Sequence, residues 1–197
     1  MKQNLLVLLL PFSVMLGLFL FGYYTINQSH SVLNEELDSH TLLEIDTELD
    51  SMNNLIATVK WQWEDFPTDG IVGEDILEFI LLNESMEPIE IFSNEGVLTL
   101  YQSSDVVYET GEAYKTNEGI AFNFPNTIKD NVMLGPKGEA FIILENISER
   151  AVFIEVKYYH TWEEFSKYSP GNSIVDSLKE QGLDNYFWIL ERSIRLP

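Results

Sequence analysis

The chain of 197 residues carries 32 acidic and 11 basic residues, which gives a formal net charge of −21. This acidic balance repels nucleic acid and anionic lipid headgroups, and it favours cationic partners or divalent ions. Cysteine is absent, which excludes disulfides, thiol chemistry and cysteine-based zinc sites. A hydrophobic fraction of 45% and an aromatic fraction of 13% indicate a folded domain with a sizeable core.

The first element along the chain is the uncharged stretch from Leu5 to Tyr24. About 20 apolar residues span a bilayer, so the stretch predicts a single transmembrane helix. Lys2 precedes it, and no Lys or Arg occurs from Thr25 to Val59. The positive-inside rule then predicts that residues 1–4 are cytoplasmic and that the rest is extracytoplasmic. A cleaved signal peptide is the alternative, but its apolar run is only about 7–15 residues long.

Residues 25–53 form an acidic connector, which we predict to be partly helical. Its apolar positions are spaced three and four residues apart, as on one face of a helix. Such a stripe either packs on its own domain or forms a short homodimeric coiled coil. The stripe consists of Leu42, Ile45, Leu49, Met52 and Ile56.

From Leu55 the hydrophobic period changes to two, which is typical of half-buried strands. We count seven to nine short strands over residues 54–197, with turn residues between them, and one short helix near residues 174–181. This spacing predicts an antiparallel β-sandwich. The expected strands include Leu55–Glu64, Asp75–Leu82, Val97–Tyr101, Glu139–Leu144, Ala151–Tyr159 and Tyr186–Ile194.

Three pieces of this region resemble immunoglobulin-like domains of exported bacterial proteins. They are Leu77–Asn83 followed by Glu87–Ile91, and Leu134–Phe141 before a strand. The resemblance covers about Glu74 to Tyr159, concerns architecture alone and implies no functional residue. The expected fold is therefore an all-β, immunoglobulin-like sandwich preceded by one transmembrane helix and a short helical connector.

The sequence shows no pattern of catalytic residues. Only three histidines are available as bases, at His30, His40 and His160, and Gly-x-Ser-x-Gly does not occur. A phosphate-binding glycine-rich loop and a basic patch for nucleic acid are also absent from the sequence. We therefore predict a protein that is not an enzyme and uses no cofactor.

One acidic loop is a candidate for calcium. It contains Asp65, Asp69, Glu74 and Asp75. An EF-hand starting at Asp65 fails, because Pro67 and Ile76 occupy two ligand positions, so only a calcium loop of another kind is possible. Trp162 to Glu164 is a candidate carbohydrate-binding edge. A tethered calcium- or carbohydrate-binding domain is thus the alternative function.

Aromatic residues concentrate at the two ends of the domain. Trp61 and Trp63 share one face of a strand and are expected in the core. Exposed aromatic residues mark binding surfaces, and the candidates for partner binding are Tyr158, Tyr159, Trp162 and Phe187. We expect a non-enzymatic protein-interaction or accessory module, held at a bacterial cell membrane.

Overall fold

The structure is a computed structural model of the full chain. It describes residues 2–27, 32–52, 54–145, 147, 150–163 and 172–197, and within these ranges the side chains of residues 2–8, 10, 24–27 and 94 are not described. Two α-helices and thirteen strands follow one another along this part of the chain.

The elements in chain order start with helix α1, Lys2–Asn27, and a 3-10 helix, Asn34–His40. Helix α2, Ile174–Glu180, lies between the last two strands. The strands are β1 Thr41–Leu49, β2 Leu55–Trp63, β3 Glu74–Leu82, β4 Pro88–Ile89, β5 Ser93–Gln102, β6 Asp105–Thr110, β7 Ala113–Lys115, β8 Ile120–Pro125, β9 Thr127–Lys129, β10 Val132–Leu134, β11 Lys137–Leu144, β12 Phe153–Thr161 and β13 Phe187–Arg195.

Two antiparallel sheets form the layers of the fold, as the sequence predicts, and β9 and β10 pair in a small third sheet. The first sheet has the order β1-β2-β11-β5-β6, and the second has the order β13-β12-β3-β8-β7, with β4 paired to β3. Alternate residues of both sheets meet in one hydrophobic core, which includes Trp61, Leu98 and Ile142 from the first sheet and Phe79 and Tyr158 from the second. This arrangement is a β-sandwich.

The prediction of a helical stripe in the connector is wrong. Thr41–Leu49 is strand β1, which pairs with β2 from Thr41↔Trp63 to Leu49↔Leu55. Leu43 is buried and Ile45 packs against the core, whereas Leu42 and Met52 are exposed. A helical face needs a period of 3.6, and hairpin pairing with β2 imposes a period of two instead. The stripe Leu42, Ile45, Leu49, Met52 and Ile56 therefore lies on no common face, and the boundary expected at residue 53 falls inside this hairpin.

Helix α1 is apolar along its described length, and Pro11 lies within it. Side chains such as Phe12, Met15 and Phe19 are more than half exposed. In the part of the chain that the structure describes, no helix is both long and apolar enough to cross a membrane.

The outer face of the second sheet is covered by α2. Ile174 and Leu178 of α2 pack with Ile76 and Tyr159, which point away from the sandwich core. Ser173 caps the helix by accepting a hydrogen bond from Asp176 N at 3.0 Å. Because both faces of β3 are covered, eight of its nine residues are buried, unlike a strand with one wet face.

Candidate functional site

A group of buried polar side chains lies between the two sheets at one end of the sandwich. We call Asn34, Asp75, Asn126, Tyr158, His160 and Thr161 the polar cluster. Its members are at most 2% exposed. Polar groups at this depth require hydrogen-bond partners, and the cluster supplies most of them from within.

Strand alternation and pairing bring the two central members of the polar cluster together. Asp75 lies on the same face of β3 as the core residues Leu77 and Phe79. The register pairs Ile76 with Tyr159 of β12, which places His160 beside Asp75. His160 Nδ1 is 3.0 Å from Asp75 Oδ1, although 85 residues separate them.

The Asp75 carboxylate accepts hydrogen bonds from every side. Its donors include the Tyr158 hydroxyl at 2.5 Å, Thr161 N at 3.1 Å and Asn126 Nδ2 at 3.1 Å. Both oxygens of Asp75 are thus engaged by donors from the protein. Burial, followed by the charge of Asp75, raises the pKa of the Tyr158 hydroxyl well above its usual range, so Tyr158 stays a neutral donor.

The hydrogen bonds of Asn34 determine which atoms of His160 carry protons. Asn34 Nδ2 donates to Asp69 Oδ1 at 3.0 Å and to Gly70 O at 2.9 Å, which fixes the orientation of the amide. Asn34 Oδ1 therefore faces His160 Nε2, at 2.9 Å, and accepts its proton.

The second ring nitrogen of His160 faces the Asp75 carboxyl group. Nδ1 is 3.0 Å from Asp75 Oδ1, and Asn126 Nδ2 lies 3.1 Å from Nδ1 and donates to Asp75 Oδ1 and Thr161 O. Both ring nitrogens of His160 are therefore engaged by protein groups.

Three of the four tryptophans surround the His160 ring. The ring centroids of Trp188, Trp63 and Trp162 lie 4.8, 5.0 and 5.7 Å from that of His160. Aromatic rings pack favourably in tilted or edge-to-face pairs with centroids about 4.5–7 Å apart. The three indole rings therefore help to hold the imidazole of His160 in place.

The segment of residues 32–40, which follows α1, is docked on this end of the sandwich. Val32 and Leu37 are buried with Trp63 and Ile71 in a separate hydrophobic cluster. Val32 O accepts a hydrogen bond from Thr68 N at 2.9 Å, and Trp188 Nε1 donates to Asn34 O at 2.8 Å. Asn34 is thus the residue through which this docked segment reaches His160.

A second buried carboxyl group, Glu78, lies on the opposite face of β3. It accepts hydrogen bonds from Thr116 and from the Tyr159 hydroxyl, the latter at 2.7 Å. Burial raises the pKa of Glu78 against the opposing effect of these hydrogen bonds.

The charge of Lys157 acts on this carboxyl group. Lys157 Nζ lies 2.9 Å from Glu118, 3.7 Å from Glu155 and 3.9 Å from Glu191. Burial lowers the pKa of Lys157, but the hydrogen bond and charge of Glu118 and the charge of Glu155 outweigh it, so the pKa is raised overall.

The structure disperses the candidate calcium ligands. Asp65 pairs with His40 Nδ1 at 2.8 Å, Asp69 bonds Asn34, and Asp75 is sealed in the polar cluster. Glu74 is exposed on the opposite face of β3 from Asp75. Among the described residues, no group of three or more His, Asp or Glu is arranged to hold a metal ion.

The partner-binding candidates are placed differently from one another. Tyr158 and Tyr159 are buried, so the expectation that they lie on the surface is wrong: one packs in the core and the other under α2. Trp162 and Phe187 are half-buried. Of the possible carbohydrate edge, Trp162 stacks near His160, while Glu164 lies outside the described residues.

Sequence reasoning missed the residues that matter most to the polar cluster. Asn34 sits in a connector with no evident motif, and His160 shares no local motif with Asp75. The one available signal was Asp75 at a position whose strand alternation points into the core. A carboxylate there demands a buried partner.

Comparison with family models, with curated proteins and with solved structures found no match for this chain. The polar cluster must therefore be interpreted from its own geometry. All its members are sealed from solvent and bonded mainly to each other, so its chemistry serves to lock the docked segment of residues 32–40 onto the sandwich.

Proposed function

We propose that this protein is a membrane-anchored extracytoplasmic module of a bacterial cell envelope, whose sandwich domain is immunoglobulin-like and acts by binding another protein rather than by catalysis. The observation that carries the proposal is the docking of the segment after α1. Asn34 binds His160, Asp69 and Gly70, and this fixes the start of the domain only a few residues beyond α1.

The anchor is supported by the sequence and by the exposure of α1. Leu5 to Tyr24 holds no charged residue, and the described side chains of α1 include apolar groups such as Met15 and Phe19 at 70% exposure. Exposed apolar surface of this size needs an apolar environment.

The distance between anchor and domain is short. Asn27 ends α1 and Val32 is already buried in the domain. A fully extended chain covers at most about 3.5 Å per residue, so the domain stays within about 20 Å of the end of α1. A module held this close can present its surfaces to neighbouring proteins in the membrane.

The non-enzymatic role is supported by the state of the buried pair of His160 and Asp75. His160 and Asp75 are 0% exposed, and their protons and lone pairs are engaged by protein groups. A general base must reach a substrate proton, and this pair is closed to one.

Crosslinking in intact cells of the native host tests the proposal, with the full-length chain as bait and a variant containing only residues 1–31 as the control. A specific protein captured by the full chain and not by the control supports it. Crosslinks no more abundant than the control contradict the interaction role, and recovery of the full chain in the soluble fraction contradicts the anchor.

A further inference from the structure

The outer face of the first sheet carries a contiguous apolar strip. We call Ile56, Val97, Phe141 and Ile143 the apolar strip. Ile56 and Ile143 are direct partners across β2 and β11, and Phe141 and Val97 are direct partners across β11 and β5. Directly paired side chains on one face of a sheet touch, so the four form one surface.

Strand alternation shows that the apolar strip faces away from the core. The neighbours Ala57, Leu98, Ala140 and Ile142 are all buried in the sandwich core. The strip residues alternate with them and therefore point to the other side. Within the described part of the chain, the four are partly exposed and stand outside the three hydrophobic clusters.

The two outer faces of the sandwich differ in whether α2 covers their apolar residues. Apolar residues on the outer face of the second sheet, such as Ile76 and Tyr159, are covered by α2. The apolar strip has no such cover from α2. Removing apolar surface from water is favourable by about 25 cal/mol per Å². A partner that covers the apolar strip therefore gains this free energy on binding.

The charges beside the apolar strip indicate the charge of the partner that it would bind. Glu48 is paired with Ile56, Glu95 with Ile143, and Asp46 with Thr58, so exposed acids flank the strip on both sides. The nearest cation on this face, Lys60, is engaged by Glu139 at 3.2 Å. An acidic rim disfavours a second copy of this chain and an anionic bilayer surface, and it attracts a cationic partner.

We propose that the apolar strip and its acidic rim are the docking surface for a basic amphipathic segment of another protein, which lays its apolar side on Phe141 and Ile143 and its Lys or Arg residues against Asp46, Glu48 and Glu95. The inference rests on the proposed function and specifies its surface and its partner.

The experiment measures binding of a synthetic 18-residue amphipathic helix of Leu and Lys to the full-length chain in zwitterionic nanodiscs, with empty nanodiscs as the reference. We expect binding that weakens as salt is raised, and slower backbone hydrogen exchange in β5 and β11. The double variant Phe141→Thr/Ile143→Thr keeps residues that suit strands, and we expect it to bind at least tenfold more weakly.

Matched variants separate the docking surface from general attraction to an acidic protein. Removing three rim charges with Asp46→Asn, Glu48→Gln and Glu95→Gln is expected to weaken binding and flatten its salt dependence. Two control variants should leave binding unchanged. One removes three charges elsewhere, with Glu84→Gln, Glu112→Gln and Asp130→Asn. The other removes exposed apolar groups elsewhere, with Val106→Thr and Ile128→Thr.

The inference would be overturned if the variant without the three rim charges bound the helix as tightly as the variant without three charges elsewhere. Unchanged binding by Phe141→Thr/Ile143→Thr would also overturn it. The same double variant in the cell-crosslinking experiment separates this inference from the proposed function. A captured protein that the double variant still captures overturns the docking surface and leaves the interaction role standing. No captured protein at all contradicts the interaction role itself.

Discussion

His160 Nε2 lies 2.9 Å from Asn34 Oδ1, although the two residues are 126 positions apart in the chain. One belongs to the last strand but one of the sandwich, and the other to the segment that follows α1. The contact therefore joins the domain to its own N-terminal attachment. It holds that attachment in place together with the burial of Val32 and Leu37 and the hydrogen bond from Trp188 Nε1 to Asn34 O.

Truncation of Asn34 tests this relationship. In Asn34→Ala, the buried Nε2–H of His160 loses its acceptor, and Asp69 and Gly70 O lose a donor. We expect the free energy of unfolding, measured by urea denaturation, to fall by about 1–3 kcal/mol. Glu35→Ala removes a side chain from the same 3-10 helix outside the polar cluster and should stay within about 0.5 kcal/mol of the original. A similar loss in both variants would contradict the role given to Asn34.

A double-mutant cycle tests the hydrogen-bonded pair of Asp75 and His160. Asp75→Ala leaves the buried Tyr158 hydroxyl and Thr161 N without their acceptor, and we expect it to lose about 1–3 kcal/mol of unfolding free energy or more. His160→Phe keeps a ring among the tryptophans but leaves Asp75 short of a donor. Because each single change leaves the other residue's buried polar group without its partner, the double variant should lose less than the sum of the singles, by about 1 kcal/mol or more. Simple additivity would show that the two groups are not paired.

The raised pKa of Glu78 determines the sign of its contribution to the pH dependence of stability. Burial favours the protonated carboxyl in the folded state, so the unfolded chain releases this proton first as the pH rises. The folded state is therefore destabilised progressively above the ordinary glutamate value of 4.5, by at most about 1.4 kcal/mol per pH unit.

Glu78→Gln removes this titration. We expect its unfolding free energy, relative to the original, to improve as the pH rises through that interval and then to level off once Glu78 is ionised in the folded state. Denaturation curves between pH 4 and pH 8 check this, with the exposed loop variant Glu84→Gln as the control. A difference that is constant with pH would contradict the assignment.

Lys157 neutralises a group of glutamates, and its removal should expose their repulsion. In Lys157→Met, Glu118, Glu155 and Glu191 lose their common cation, which is 18% exposed and thus poorly screened. We expect a loss of about 1–3 kcal/mol at pH 7. Burial raises the pKa of Glu155, so the loss should shrink as the pH falls and Glu155 takes up a proton. Lys115→Met breaks an exposed pair with Glu90 and should cost less than about 1 kcal/mol.

The strands that could be predicted from the sequence are those with one apolar face. In β2, Ala57, Val59 and Trp61 alternate with more polar residues, and the structure has the strand from Leu55 to Trp63 as expected. The sequence pattern predicts a helix in place of strand β1, because Leu42, Ile45 and Leu49 fit a helical period as well as Leu43, Ile45 and Thr47 fit a strand. Only the pairing of this segment with β2 decides between helix and strand. The hydrophobic pattern of the segment by itself does not show this tertiary contact.

The polar cluster could not be predicted for a related reason. Asp65, Asp69, Glu74 and Asp75 are close in sequence and suggested a metal loop, yet alternation sends Glu74 and Asp75 to opposite faces of β3. The true partners of Asp75 come from β12 and from the segment after α1. A local motif reports residues that share a loop, whereas this cluster is assembled by strand register across the whole chain.

The contact between Gly138 and Trp61 provides the last prediction. The two are direct partners in β11 and β2, and a Cβ on Gly138 would overlap Cζ2 and Cη2 of the Trp61 ring, which is 2% exposed. Gly138 therefore makes room for the largest side chain of the core. We expect Gly138→Ala to push that ring out of its position and to lower the unfolding free energy by about 1–3 kcal/mol. Gly111 has only ordinary contacts at its Cβ position, so Gly111→Ala is the control. Gly138→Ala could instead prove as stable as Gly111→Ala and leave the tryptophan fluorescence unchanged. That result would contradict the close packing of Trp61 against β11.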